Sequence, residues 1–502
     1  MVRRMFVLVF LAHALALVLA AQGPSPAIPR TWDDEAVAAL EVPLANPEFS
    51  PKHVSSDYYY RLRVRPIYKA YPVYAPDKEP PGYVEWLAKQ EPEIVFDAAK
   101  LHTEADWIRA GELVFDAPTI FAPVDASPAR FPEFYERSGV RLAANGTLPN
   151  KSYVIRAKGI VEVGNFSCGQ CHTRVMPDGA VVKGAQGNFA EGYFFAARPR
   201  GALRNGRRDP EDILSTQRSA LRRLYAVPWI QSPPEGDLSL EQILSAFEAM
   251  PPGVGIRQGT SLRYPAQIPD LIGIKDRRYL DHTGLVRHRS IGDLMRYAAL
   301  NQGLDQLARY GDFVPAGDVP DPATSRSPAA WRYSDEQLYA LAKYLYSLKP
   351  PPNPNKFDAL AAHGKEVFTR DGCVSCHTPP LYTNNKLTPV DGFEIPKEHF
   401  GRFDIKRGSV GTDPTSALKT RRGTGYYKVP SLKGVWYRGP FEHNGSVATL
   451  EDWFDPKRLN DDYVPTGHIG YGFKTRAVKG HEFGLDLPAD DKKALIAFLK
   501  TL

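Results

Sequence analysis

Cys168-Gly169-Gln170-Cys171-His172 and its echo, Cys373-Val374-Ser375-Cys376-His377, decide how the rest of the chain is read. Each is a C-x-x-C-H stretch, the spacing of a c-type haem attachment site. Two thiols separated by two residues reach the two vinyl groups of one porphyrin. The His directly after the second Cys falls beneath the iron as its proximal ligand. The chain holds 4 Cys and 12 His in 502 residues, and all four Cys lie in these motifs. A zinc site built from both pairs, or thioredoxin-like redox pairs, would leave the repeated His unexplained. The motifs predict two covalently bound haem c groups, on Cys168 and Cys171 and on Cys373 and Cys376, with His172 and His377 as iron ligands.

Working outward, each motif sits in a repeated frame. Gly111-Glu112-Leu113-Val114-Phe115 returns as Gly364-Lys365-Glu366-Val367-Phe368. The second copy runs almost directly into Cys373, whereas the first is separated from Cys168 by an insertion of about 48 residues, rich in Pro and Ala. Thr103 and Asp106 form a capping-box start for the first helix, and Trp107, Ile108, Gly111, Val114 and Phe115 recur at helical spacing. A closing helix over 340–348, capped by Ser334 and Gln337, parallels 494–502. Pro350-Pro351-Pro352-Asn353-Pro354 ends the first as a stiff linker. Helix, C-x-x-C-H, irregular loop and closing helix is the order of a cytochrome c unit. The expected fold is mainly α: two cytochrome c-like haem domains with long irregular loops, at 101–350 and 351–502. Residues 22–100, rich in Pro and Tyr, read as an extended arm packed through its aromatics.

Residues 173–330 exceed what a minimal cytochrome needs and are expected to cover the first haem or bridge the two. Within them Asp281-His282-Thr283-Gly284-Leu285-Val286-Arg287-His288-Arg289 gathers two His and two Arg. His282 and His288 are candidates for a distal acid/base group or for propionate partners at the first haem; a solvated basic loop is the alternative. Met295, with apolar neighbours Ile291, Leu294 and Ala298, reads as a core residue on a helix rather than an iron ligand.

Residues 1–21 have the form of a signal peptide: Arg3 and Arg4, an apolar run from Phe6 to Leu19, then Ala20 and Ala21. The apolar run is short for a membrane span, and no Cys follows it to take a lipid anchor. A periplasmic or secreted protein with no membrane span after signal cleavage is expected. The net charge of +6 is modest and no Lys/Arg block concentrates it, so a nucleic-acid partner is excluded.

The C-terminal half carries a pattern more specific than the haem motif. Val429-Pro430-Ser431-Leu432-Lys433-Gly434 leads to Gly439-Pro440-Phe441-Glu442-His443-Asn444-Gly445-Ser446, and then to Ala448-Thr449-Leu450. Over about 345–502 this resembles the bacterial di-haem cytochrome c peroxidase superfamily, which includes the di-haem enzyme that matures tryptophan tryptophylquinone and the rubber oxygenases. The resemblance implies a reactive N-terminal haem and an electron-transferring C-terminal haem whose sixth ligand is a Met beyond the H-N-G-S pattern. This chain departs there: its Met residues are Met1, Met5, Met176, Met250 and Met295, and Lys457 stands at the expected position. Gly480-His481-Glu482-Phe483-Gly484 resembles the tail of the rubber-oxygenase-like branch, in which a late His binds the second iron. His481 is therefore the expected ligand, ahead of His443, His468, His399 and Lys457. The resemblance also implies calcium held by carbonyls near Gly439-Pro440; Arg438 brings a competing positive charge to that turn and speaks against it.

Taken together, the sequence points to an exported oxidoreductase of peroxidase-like type. Its substrate would be peroxide or oxygen, and its partner a small redox protein or other electron donor or acceptor. An oxygenase of the rubber-oxygenase-like type and a plain electron-transfer cytochrome are the alternatives.

Overall fold

The computed structural model describes residues 27–502 apart from 226, 231–236, 258, 303–306, 316, 318–320, 322 and 326–330. The signal-peptide reading, at 1–21, lies outside the described residues. The chain is helix-rich, and two helix pairs of the same kind organise it: α1 (Glu104–Asp116) with α2 (Asp335–Ser347), and α3 (Ala359–Arg370) with α4 (Ala489–Lys500). Thr103 and Asp106 close a capping box on α1, and Ser334 and Gln337 another on α2. Asp358 caps α3 by accepting from the Ala361 N–H. Each pair crosses at a glycine. A Cβ on Gly111 would lie 2.0 Å from the Ala340 carbonyl oxygen, and one on Gly364 would lie 1.9 Å from that of Ala494. The internal repeat is thus a repeated backbone-to-backbone crossing, made by equivalent residues in both copies.

The insertion between α1 and the first motif folds into a sheet that the sequence did not announce. Strands β1 (Ala70–Tyr74), β2 (Ile120–Pro123), β3 (Thr147–Ala157) and β4 (Ile160–Asn165) form a four-stranded antiparallel sheet in the order β1-β3-β4-β2. Tyr153, Val154 and Ile155 are all buried in succession. A strand covered on both faces shows no period of two. Phe134, Phe189 and Phe194 pack against this sheet around Tyr153 and Val163.

Residues expected to form an extended arm are instead part of the body. β1 joins the sheet, Lys52–His53 pairs with Ala308–Arg309, and Arg63–Val64 pairs with Trp331–Arg332. Trp32 stacks on Tyr59 at 4.5 Å and donates from its indole nitrogen to the Val54 carbonyl. The Tyr60 hydroxyl reaches the Asp335 carboxylate that opens α2. Lys52–His53 and Arg63–Val64 take their partners from hundreds of residues downstream, so local periodicity could not reveal them. Met295 is fully buried beside Leu294 and Leu300 on the helix Ile291–Gln302, as a core residue should be. Among the described residues no helix is long and apolar enough to cross a membrane.

Candidate functional site

At the first motif, Ser167 caps a one-turn helix, Cys168–Cys171, by accepting from the Gln170 N–H. The turn is pressed against the end of α1, where a Cβ on Gly169 would lie 2.9 Å from an Asp116 carboxylate oxygen. β3 holds it from the other side. The Asn150 amide donates to the Gln170 and Thr173 carbonyls, and the buried Lys151 ammonium donates at 2.7 Å to the Gln170 side-chain oxygen. Burial lowers the pKa of Lys151 to about 7. The His172 Nδ1 lies 2.9 Å from the Pro269 carbonyl. A carbonyl only accepts, so Nδ1 carries the proton and Nε2 keeps its lone pair, the arrangement typical of a metal-binding imidazole. Burial lowers the His172 pKa to about 4, which keeps the ring neutral. The Cys171 sulfur lies 3.6 Å from a Glu191 carboxylate oxygen and 3.9 Å from an Arg257 nitrogen. Neither residue carried a recognisable sequence signal.

The second motif repeats this logic. A short 3-10 turn, Cys373–Ser375, follows α3, and the His377 Nδ1 lies 3.2 Å from the Tyr382 carbonyl, which again leaves Nε2 as an acceptor. Burial brings the His377 pKa down to about 4. Across a cavity, the His481 ring faces His377 with centroids 6.3 Å apart. With metal–imidazole bonds of about 2 Å, as at zinc sites, two rings sharing one metal need centroids about 6 Å apart. His481 is held in the left-handed region, at φ 47°. Its N–H donates to the Val410 carbonyl, and buried Arg458 donates to the His481 carbonyl. Gly480 lets the loop approach closely, since a Cβ there would lie 2.1 Å from the Gly411 carbonyl carbon. Backbone strain of this kind persists only where surrounding contacts enforce it. The His481 Nδ1 is buried with no hydrogen-bond partner.

The cavity is amphiphilic. Phe368, Val435, Leu450, Phe454 and Leu495 line one part, and Arg277, His282, Lys428, Arg438 and the Glu442–His443 pair line another. A haem has the same character, with an apolar ring and two carboxylates on one edge, and the residues present fit it.

The structure places the other candidates as follows. His282 is in the wall of this second cavity rather than beside the first motif, with its Nε2 2.7 Å from the Gln267 carbonyl. His288 has both ring nitrogens engaged, at 2.7 Å from the Arg277 carbonyl and 2.7 Å from the Tyr346 hydroxyl, which leaves none to carry a proton to a substrate. The two His are neighbours in sequence, but the strand Val286–Arg287 separates their side chains into different surroundings. His443 lines the cavity with its Nδ1 2.5 Å from Glu442 and its ring stacked on Tyr427 at 4.7 Å. His399 hydrogen-bonds the Tyr426 hydroxyl at 2.9 Å. Buried His468 lies outside the cavity lining, and Lys457 is exposed on the turn Pro456–Leu459. At the Gly439-Pro440 turn the Arg174 guanidinium donates to the Gly439 carbonyl and the Gln186 amide donates to that of Pro440. These two carbonyls thus accept from Arg174 and Gln186, while Arg438 donates to the Ser431 carbonyl instead.

Paired helices crossing at glycine, C-x-x-C-H turns, and the imidazoles after them tied to carbonyls form an arrangement like that of a c-type cytochrome. Residues 425–463 match the family model described as RoxA-like, cytochrome c-like. A cytochrome-c peroxidase, IdrP2, of Denitromonas iodatirespirans is 28% identical over 155 residues, 28% of this chain and 38% of that protein. The methylamine utilization protein MauG of Methylorubrum extorquens is 23% identical over 185 residues, 36% of this chain and 46% of that one. A solved Kuenenia stuttgartiensis hydrazine synthase chain aligns with TM-score 0.31 at 15% identity, covering 57% of this chain and 86% of that one. The chain spans less than half the length of these curated relatives. It is a distant homologue of di-haem cytochrome c peroxidase and MauG proteins, with a RoxA-like cytochrome c region over 425–463, and haem c is the cofactor which that region implies.

Proposed function

We propose that the chain is an exported di-haem c-type cytochrome oxidoreductase of peroxidase-like type, built as cytochrome c-like units at 101–350 and 351–502. Cys168 and Cys171 would hold one haem over His172, and Cys373 and Cys376 a second over His377. The observation that carries this reading is an asymmetry between two otherwise matching motifs. Both imidazoles after the second Cys present a lone pair on Nε2, but among the described residues a second imidazole faces His377 and none faces His172. A site with His on both faces suits electron transfer, and a site open on one face suits reaction with a small oxidant. When bound, the haem supplies the redox chemistry with peroxide or oxygen. The protein supplies neutral, oriented imidazoles, a buried polar setting at Glu191 and Arg257 beside the first motif, and a cavity lined by both apolar and cationic side chains at the second. A small redox protein would exchange electrons through the second site.

Oxygen chemistry on an organic substrate is the second reading, favoured by the RoxA-like match over 425–463 and by a late His481, rather than a thioether, facing His377. A plain electron carrier is the third.

Protein from a host that exports and attaches haem should keep two haems per chain after denaturation, read by intact mass. Cys373→Ser with Cys376→Ser should leave one. A wild-type mass with a single haem, or with none, overturns the di-haem reading. Peroxide, oxygen or carbon monoxide should perturb the spectrum of one haem only. If none of the three does, the enzyme readings fall and the carrier reading stands.

A further inference from the structure

The cavity behind the second motif contains a cluster of cations with no carboxylate in ion-pair contact among the described residues. Arg277, Lys428 and Arg438 all line it. None makes an ion pair with a carboxylate among the described residues. Arg277 spends its guanidinium on the carbonyls of Asp270 and Ile272. Arg438 donates one nitrogen to the Ser431 carbonyl at 2.8 Å, and its Nε is buried with no partner. The Lys428 ammonium makes no hydrogen bond or ion pair among the described residues. The carboxylates in the neighbourhood are already engaged: Asp270 accepts from the Tyr437 hydroxyl at 2.7 Å, Asp281 pairs with Arg422, and Glu442 pairs with His443. Burial, and then the charges of Arg277 and Arg438, bring the Lys428 pKa down to about 7, and the charge of Asp281, already paired with Arg422, only partly opposes them.

A guanidinium stays charged at any ordinary pH. Holding such groups away from bulk water with carbonyls but no anion for partners is costly. The cavity is therefore built to receive anionic groups, and its apolar part says that they belong to an amphiphile. We propose that Arg277, Lys428 and Arg438 form a carboxylate receptor that takes the propionate edge of the haem carried by Cys373 and Cys376, fixing its orientation in the cavity. This rests on the di-haem reading above and adds to it the residues that set the electrostatics of the second haem. The receptor also joins the two sites. Arg277 lies in the same stretch as Pro269, whose carbonyl holds the proximal imidazole of the first motif, whereas Lys428 and Arg438 flank the Val429-Pro430-Ser431-Leu432 run of the second half. The carboxylates would be gripped by both halves of the chain at once.

The shared chemistry is an anionic oxygen group, and a free small anion is the other source. The test uses the full-length, haem-loaded protein. Lys428→Met should lower the reduced-to-oxidised ratio of the second haem about tenfold at a fixed ambient potential, a shift of about 59 mV for one electron. It should also move the propionate bending modes in resonance Raman, with the covalent haem content unchanged. Lys428→Arg should restore both. Acetate and inorganic phosphate should leave the wild-type potential unchanged, because the receptor is already filled. An unaltered potential and Raman spectrum in Lys428→Met with both haems in place overturns the proposal alone. A saturable change with acetate or phosphate that Lys428→Met abolishes also overturns it, in favour of a free anion. A wild-type chain with no haem on Cys373 and Cys376 instead overturns the underlying reading.

Discussion

His481→Ala should turn the second haem from low-spin to high-spin and open its iron to carbon monoxide and added imidazole. The His481 and His377 rings face each other at 6.3 Å, the separation that a shared iron requires. No Met follows His377 to supply a thioether instead. The loop is constrained independently of the ring: Gly480 lies against Gly411, the His481 N–H is bonded to Val410, and Arg458 holds the His481 carbonyl. Truncation at Cβ therefore removes the imidazole without removing the loop's anchors, and its Nδ1 has no protein partner to lose. The ring's contacts with Trp453 and Phe483, at 5.3 and 5.4 Å between centroids, are the packing that would be lost. The change should be visible in the visible spectrum and by electron paramagnetic resonance, and added imidazole should restore the low-spin form. An unchanged low-spin spectrum would remove His481 from the site and leave His443 as the nearest alternative on the cavity wall. Wild-type protein should also lack the near-infrared band of a Met-ligated iron.

What the sequence could express was whatever is local or repeated. The C-x-x-C-H turns, the capping boxes at Thr103 and Ser334, and the recurrence of Gly111 at Gly364 are local patterns, and each has a counterpart in the fold. His481 was reached by elimination and by resemblance of its surroundings. The sheet around Tyr153 was hidden because its central strand is buried on both faces. The arm was misjudged because Lys52–His53 and Arg63–Val64 are paired only by distant residues. The charged lining was out of reach for a related reason: Arg277 and Lys428 are ordinary basic residues in sequence and become a cluster only when a loop from the middle of the chain closes over the second half. His282 and His288 show the converse: close in sequence, their ring nitrogens meet different partners, the Gln267 carbonyl for one and the Arg277 carbonyl and Tyr346 hydroxyl for the other.

Gly364→Ala should destabilise the second half of the molecule, although helix propensity alone predicts the opposite. Alanine in a helix interior is favoured over glycine by about 1 kcal/mol. Against that, the added Cβ would sit 1.9 Å from the Ala494 carbonyl oxygen, 2.5 Å from its carbon and 2.8 Å from the Phe498 Cβ. Two of these three are backbone atoms, which cannot rotate away, so α3 and α4 must separate. Overpacking typically costs about 1–3 kcal/mol, and a clash against a helix backbone belongs at or beyond the upper end. The expected net loss is about 2 kcal/mol, or roughly 4–8 °C in midpoint for a domain of this size. Gly111→Ala should behave alike against Ala340, since its Cβ would lie 2.0 Å from that carbonyl oxygen. Lys365→Ala, on the exposed side of the same helix, is the control and should be close to neutral. Thermal unfolding followed by far-ultraviolet circular dichroism and at the haem band decides the matter. A Gly364→Ala protein as stable as wild type would mean that the crossing is looser than described. The consequence reaches the chemistry because α3 runs directly into Cys373. Prying α3 from α4 displaces the turn that carries His377 relative to His481, which is anchored on a different loop. Gly364→Ala should therefore broaden or weaken the low-spin signal of the second haem before the helices unfold, and Gly111→Ala should leave that signal intact.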